Sequence, residues 1–347
     1  MVVRILGIDV GGLTLKFAEV KVGEKGFEVE DVENTTFLPN MLESKIKRFL
    51  GGRDDFAAVG VASSGEIVST IFPRLSDGII FFQKVFEEEF TCPVFWINHD
   101  STLTTNEQAS SHPYDVAAAN WRAQSLLAAR KVEGDFLHID TGSSSTDITA
   151  VINGAANTSG RLDYQRLATG ELVYTGGIFT HPACATGSVK LKGRKTMLCS
   201  EPYALVADAH LIAGNISEGE HAGFLGAGSY ADAALAYTRI AHMVYADDHL
   251  LTREEIADIA RQICAAQVSQ IADGIRKVCK KKFRNKPQAV VSGSAADYLA
   301  APAAAEAGLK DILYLEDLVG KKASIAAPAV GTAMLAGEKI FRDSLNP

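Results

Sequence analysis

Apolar residues in the opening part of the chain fall at strand spacing and are broken by glycine turns. Val2–Val10 ends at Gly11-Gly12, Leu13–Val20 follows, then Phe27–Phe37 and later Ala57–Ala62. The period then changes. Residues 79–90, IIFFQKVFEEEF, carry apolar side chains at helical spacing, Pro93–Asn98 returns to a short apolar strand, and Ala117–Lys131 reads as a helix. At Phe136 the opening pattern starts again: Phe136–Asp140 is an apolar strand, a Gly/Ser turn follows, and Asp147–Ile152 runs to an Asn153-Gly154 turn. In both openings an apolar strand ends in Asp, a small residue and Gly, roughly 130 residues apart, which predicts a duplicated domain. The second half adds a long helix over 252–280, with Thr252 and Glu255 at capping-box spacing and Ile256, Ile259, Ile263 and Ile271 on one face. A short strand, Ala289–Ser292, runs into a turn at Gly293. The tail 326–343 predicts a last helix in which Gly331, Ala333 and Ala336 permit close packing.

Length and composition narrow this pattern without changing it. A chain of 347 residues exceeds one core of ordinary size, and two domains are expected, 1–130 and 131–327, with 328–345 placed to complete the first. With 47% hydrophobic and 22% charged residues the balance is that of a soluble globular protein, and no apolar run reaches the length of a membrane helix. Asp9 interrupts the first apolar run where a signal peptide would stay apolar, so a cytoplasmic protein is expected. A net charge of −8 argues against non-specific nucleic-acid binding. The one basic run, Lys280–Arg284, closes the long helix, where cations complement the helix dipole. Five cysteines without a Cys-x-x-Cys pair suggest buried thiols rather than disulfides, zinc or an iron–sulfur cluster. The expected partner is a small phosphorylated molecule, with no nucleic acid and no membrane; a homodimer is the self-association this admits.

The candidate chemistry lies in the turns. Asp9 closes a buried strand, Gly11 and Gly12 let backbone N–H groups approach an anion, and Thr14 and Lys16 alternate with Leu13 and Leu15, so that a hydroxyl and an ammonium share one face. A carboxylate in that position calls for a cation, and Mg²⁺ prefers carboxylate and phosphate oxygens. The second turn repeats the arrangement with Asp140, Thr141, Gly142, Ser143, Ser144, Ser145, Thr146 and Asp147. Two such cradles facing each other would clamp a diphosphate, with Asp9 and Asp140 as metal ligands and Lys16 as a catalytic cation.

These hairpins resemble the phosphate-1 and phosphate-2 motifs of the actin/hexokinase/Hsp70 superfamily, and Val290-Val291-Ser292-Gly293-Ser294-Ala295 is similar to its adenosine motif, in the superfamily's order. The resemblance implies a duplicated, actin-like (ribonuclease H-like) α/β fold with two domains around a cleft, and Mg²⁺ with ATP/ADP or a diphosphate-bearing substrate as ligand. It also implies a general base at Asp100, in Asn98-His99-Asp100; the plainer alternative is a helix N-cap at Asp100 or Ser101.

A narrower resemblance covers most of the chain. Ala119-Asn120-Trp121, the Asp140–Asp147 turn, Arg166–Gly176 (RLATGELVYTG), Glu201-Pro202-Tyr203-Ala204 and Ala207-Asp208 resemble the hydantoinase/oxoprolinase-related proteins of the tetrahydromethanopterin-linked one-carbon pathway. That family includes a methanofuran-biosynthesis synthase. The resemblance implies a transferase that joins the phenol of γ-glutamyltyramine to an aminomethylfuran carbinol diphosphate and releases diphosphate, in methanofuran or methylofuran synthesis. An insert at about 155–225 would hold the phenol, oriented by Glu171, Tyr174 and Asp208; the plainer reading makes Tyr174 packing and Glu171 a solvated turn residue. After Gly176 the family carries an Arg before a Thr, whereas this chain reads Gly177–Pro182, leaving His181 or the basic loop Lys190–Lys195 as substitutes. Two rival functions remain: an ATP-dependent small-molecule kinase using Asp100, and an ATPase that switches a partner, against whose iron–sulfur variety the missing Cys-x-x-Cys counts.

Overall fold

The computed structural model describes residues 2–24, 26–36, 38–225 and 232–345; Phe37, the last residue of the third anticipated strand, lies outside them. The chain forms two compact units. One comprises Met1–Phe136, Thr149–Arg166 and Leu315–Pro347, the other Leu137–Ile148 and Leu167–Tyr314.

The first unit is built on a sheet of β1 (Val2–Val10), β2 (Thr14–Gly23), β3 (Gly26–Thr36), β4 (Ala58–Ser63), β5 (Val94–Ile97) and β6 (Leu103–Thr105), in the order β3-β2-β1-β4-β5-β6. β1, β2 and β3 form an antiparallel meander, and β4 and β5 continue the sheet in parallel. β1 is buried throughout residues 5–10, as a strand covered on both faces must be, whereas β3 carries Glu28, Glu30, Asp31 and Glu33 along the sheet edge, where charge discourages further pairing. One face packs on the helices Leu42–Leu50 and Leu75–Glu89 through Phe17, Phe49, Phe82, Phe86 and Trp96. Phe17 stacks on Phe49 at 4.3 Å, and Phe86 meets Trp96 edge-on at 5.5 Å.

The last helix, Ala327–Leu345, packs on β1, β2 and β4. Its approach depends on two glycines paired across the sheet, Gly7 and Gly60. A Cβ at Gly7 would lie 1.9 Å from the Ala329 carbonyl oxygen, and one at Gly60 would lie 2.3 Å from that of Thr332. The Thr332 hydroxyl donates to the Gly60 carbonyl at 3.1 Å. The helix anticipated from Ala117 begins instead at Asn120, because Ala118 adopts φ 52°. Leu103–Thr105 after Asp100 is a strand, so neither Asp100 nor Ser101 caps a helix.

The second sheet contains β7 (Phe136–Thr141), β8 (Thr146–Ile152), β9 (Ala155–Ala156), β10 (Leu172–Val173), β13 (Gln288–Ser292) and β14 (Ile312–Tyr314); β11 (Ser188–Leu191) and β12 (Arg194–Met197) form a separate ribbon. The main path is β10-β8-β7-β13-β14, repeating the hairpin-then-parallel order of the first sheet, and the two hairpin turns close with the same bond. Gly11 N–H donates to Thr14 and Gly142 N–H to Ser145, both at 2.9 Å. The long helix spans Arg253–Lys282, two residues beyond the anticipated end, with Thr252 and Glu255 forming its capping box and Ile256, Ile259 and Ile263 buried. Of the five cysteines, only Cys264 is buried; Cys184 is exposed and the other three are half-buried, which corrects the expectation of buried thiols.

Gly60→Ala forces a methyl group into the Thr332 carbonyl, and overpacking of this kind costs about 2 kcal/mol. Urea denaturation should show a loss of that size, with Gly51→Ala, where a Cβ meets nothing within 4 Å, as the control that carries only the strain of its positive φ.

Candidate functional site

At the first turn, pairing β1 with β2 sets Asp9 opposite Lys16, and the ammonium lies 2.9 Å from Asp9 Oδ2. Asp9 is 2% exposed, and its Oδ1 has no hydrogen-bond partner. A buried carboxylate oxygen left in that state fits a hard cation or a water bound to one. No cluster of three or more His, Cys, Asp or Glu able to hold a metal occurs among the described residues, so a cation here would draw its remaining ligands from water and phosphate.

The second turn differs in charge. Where Lys16 stands seven residues after Asp9, Asp147 stands seven after Asp140. Thr141 and Thr146 are fully buried and hydrogen-bonded to each other at 3.2 Å, so of the five hydroxyls only those of Ser143, Ser144 and Ser145 sit at the partly exposed tip. Ser292 is fully buried. Its hydroxyl donates to Asp140 Oδ1 and lies 2.9 Å from His138 Nε2. Because the hydroxyl proton goes to the carboxylate, His138 must donate from Nε2, and burial lowers its pKa to about 3, so it does so as a neutral ring. Ser292 thus orients Asp140. Gly293 (φ 93°) packs its α-carbon on the Thr141 backbone, where a Cβ would lie 2.3 Å from the carbonyl oxygen.

A carboxyl group that the sequence reading passed over lies beside the first turn. Gly65 meets the backbone of Gly11, and a Cβ there would lie 2.6 Å from its carbonyl oxygen. The next residue, Glu66, is 2% exposed; Ser63 Oγ donates to one of its oxygens at 2.5 Å and the Ala118 N–H to the other at 2.6 Å. Burial outweighs those bonds and pushes its pKa up to about 7. Glu66 therefore ties the turn after β4 to the positive-φ residue that precedes Trp121 and Arg122. Trp121 is fully buried between two guanidinium groups, Arg122 at 4.1 Å and Arg166 at 4.2 Å from its ring centre, with His99 6.3 Å away. The neighbouring Asp100 resists its partial burial: bonds from the Thr102 hydroxyl and N–H, and the charge of Arg161, hold its pKa below the ordinary carboxylate value.

A family model described as hydantoinase/oxoprolinase matches residues 67–339. The chain belongs to the hydantoinase/oxoprolinase family. Within that family it is 26% identical over 338 residues to a Methanocaldococcus jannaschii protein named (4-{4-[2-(gamma-L-glutamylamino)ethyl]phenoxymethyl}furan-2-yl)methanamine synthase, covering 96% of this chain and 98% of the relative. A Methanococcus vannielii protein of the same name is 24% identical over 211 residues, 60% of this chain and 94% of the relative. Among solved structures, a nucleotide-free acetone carboxylase superposes with a TM-score of 0.57 at 11% identity, covering 96% of this chain and 70% of that one. That likeness is one of fold, and the fold is the anticipated two-domain, actin-like α/β type. No helix among the described residues is long and apolar enough to cross a membrane.

The remaining candidates of this hydantoinase/oxoprolinase chain divide by burial. Glu171 is 1% exposed and accepts from Thr169 Oγ1 at 2.8 Å, so it is no solvated turn residue. Tyr174 is exposed on a groove of about 350 Å³ that Leu172, Val173, Cys184 and Lys277 help to line. Asp208 is spent on structure: Arg239 donates to both its oxygens at 2.9 and 2.6 Å, and His221 lies at 3.0 Å. His181 is committed to local backbone through both ring nitrogens, to Ala183 N–H and the Glu201 carbonyl, which argues against it as a stand-in for the family's Arg. The basic loop is the tip of the β11–β12 ribbon, with Lys192 and Gly193 at positive φ.

Glu66 makes stability depend on pH. Its pKa rises from 4.5 to about 7 on folding, so between these values the native state holds a proton that the unfolded chain has lost. Its contribution is fully present below pH 4.5 and falls by about 3 kcal/mol as pH rises to 7. Thermal unfolding of Glu66→Gln across pH 4.5–7.5 should therefore decline less steeply than that of the parent protein; parallel curves would rule out the raised pKa.

Proposed function

We propose that this protein is a synthase of the methanofuran type, joining a phenol to a furanmethanol diphosphate with release of diphosphate. The single observation that carries this reading is relatedness over nearly the whole of both chains to the Methanocaldococcus jannaschii synthase, whose name describes a phenoxymethylfuran product. The phenol oxygen forms a bond to the furan methylene carbon. The bond from that carbon to the bridging diphosphate oxygen breaks, and its electron pair leaves with diphosphate. The furan ring stabilises positive charge on the methylene carbon as that bond lengthens, so catalysis consists chiefly of stabilising the leaving group and needs no strong base.

Lys16 and the backbone of Gly12 serve the diphosphate in this scheme, while the Gly11 N–H closes the turn on Thr14. Asp9, with its buried Oδ1 left unpartnered, is the residue that would hold Mg²⁺ there. Bound Mg²⁺ supplies charge neutralisation for a departing diphosphate. Asp100, held below the ordinary carboxylate range, is poorly matched to a phenol with a pKa near ~10. The phenolic proton passes instead to the released diphosphate.

Isothermal titration with Mg²⁺ plus pyrophosphate, and separately with Mg²⁺ plus ADP, tests this reading. Pyrophosphate should bind only with Mg²⁺, ADP should bind no more tightly, and Asp9→Asn should weaken pyrophosphate by about tenfold or more, equivalent to about 1.4 kcal/mol. Tight ADP binding with no response to pyrophosphate would replace the synthase with a kinase or ATPase.

A further inference from the structure

A polar pocket of about 230 Å³ opens in the first unit beside the end of β5, lined by His99, Asp100, Arg122, Ser159 and Arg161. We infer that it binds the zwitterionic end of an α-amino acid, with the carboxylate toward Arg122 and Arg161, the ammonium toward Asp100, and His99 forming a hydrogen-bonding wall. Resting on the synthase reading, this makes the pocket the seat of the glutamyl end of the phenolic acceptor.

His99 is 2% exposed, and neither ring nitrogen has a hydrogen-bond partner; the Ala117 backbone is near enough to influence the ring but not placed to bond it. Burial lowers its pKa to about 4, so it presents one donor and one acceptor without charge. Leaving both unpaired in a buried site is costly, and a ligand with polar groups of both kinds removes that cost. The charged groups around it are fixed in advance. Arg122 donates to the Ala156 carbonyl at 2.7 Å and the Thr158 hydroxyl at 3.3 Å, with its guanidinium stacked on Trp121. Arg161 is held by Asp115 at 2.6 Å. Thr102 holds one oxygen of Asp100 through two bonds, and Asn98 braces the same loop by accepting from the N–H of Asp100, next to Ser101 at φ 71°.

Size and sign narrow the ligand. Sites for whole drug-sized ligands run from roughly 300 to 1,000 Å³, so this pocket suits an end group. A diphosphate would set its charge against Asp100, whereas a zwitterion meets a partner of opposite sign at each end.

Titration calorimetry with γ-glutamyltyramine, L-glutamine, glutarate and tyramine tests the assignment on the parent protein, Asp100→Asn and Arg161→Gln, each variant first checked for unchanged thermal unfolding. γ-Glutamyltyramine and L-glutamine share the α-amino-acid end and should bind. Glutarate lacks the ammonium and tyramine lacks the carboxylate, and both should bind about tenfold or more weaker. Each variant should weaken the first two ligands by about tenfold, and Arg161→Gln should leave tyramine, which has no carboxylate, unchanged. L-Glutamine binding that the variants abolish, in a protein that turns over no furan diphosphate, would uphold the pocket while the synthase reading falls. γ-Glutamyltyramine that is turned over and binds equally well to both variants would overturn the pocket and leave the synthase. Glutarate binding as tightly as L-glutamine, or no binding by either amino acid, would also overturn it.

Discussion

The end of the first strand in each unit is fixed by backbone packed on backbone, and the candidate chemistry depends on that contact. In the first unit Ser64 N–H donates to the Val10 carbonyl at 2.9 Å, and Gly65 closes on Gly11. In the second, Ala295 N–H donates to the Thr141 carbonyl at 3.0 Å, and Gly293 closes on Thr141. A side chain at either glycine would push the turn away and release the strand end that presents Asp9 or Asp140. Positioning by main chain is stiffer than positioning by flexible side chains, which suits a site that must hold an anion's charge in one place.

The same contact gives each unit a second residue with access to the turn, and the two units use it differently. Ser63 in the first donates to Glu66; Ser292 in the second donates to Asp140. The segment 290–295, which resembles an adenosine motif, thus occupies in the second unit the place that 61–66 occupies in the first. Its serine hydroxyl is engaged in orienting a carboxylate, a role that requires no nucleotide.

The sequence disclosed the duplication because strand-Asp-x-Gly is a short, local pattern whose spacing survives, and it disclosed the long helix because its apolar face and capping box are local too. Glu66 was not legible: nothing in Ser63-Ser64-Gly65-Glu66 distinguishes it from an exposed turn, and its neighbours Gly78 and Ala118 come from later segments. The chemistry of Asp208 was misread for a related reason. Its partners Arg239 and His221 lie on other segments, and an ion pair closed through the fold leaves no signature in residue spacing. Asp100 stands out in the sequence only through the resemblance that makes it a general base; the bonds from Thr102 that hold it below the ordinary carboxylate value come from the loop's folded shape.

Charge asymmetry between the turns follows from one substitution of type. Asp9 faces Lys16, a pair that is neutral overall, while the second turn carries Asp140 and Asp147 seven residues apart. The first turn offers an ammonium to an anion, where the second offers the hydroxyls of Ser143, Ser144 and Ser145 at its tip. Under the synthase proposal, the unpartnered oxygen of Asp9 is the place in the first turn for a cation. A departing diphosphate would use that cation and Lys16 together, which is what the synthase proposal asks of the first turn.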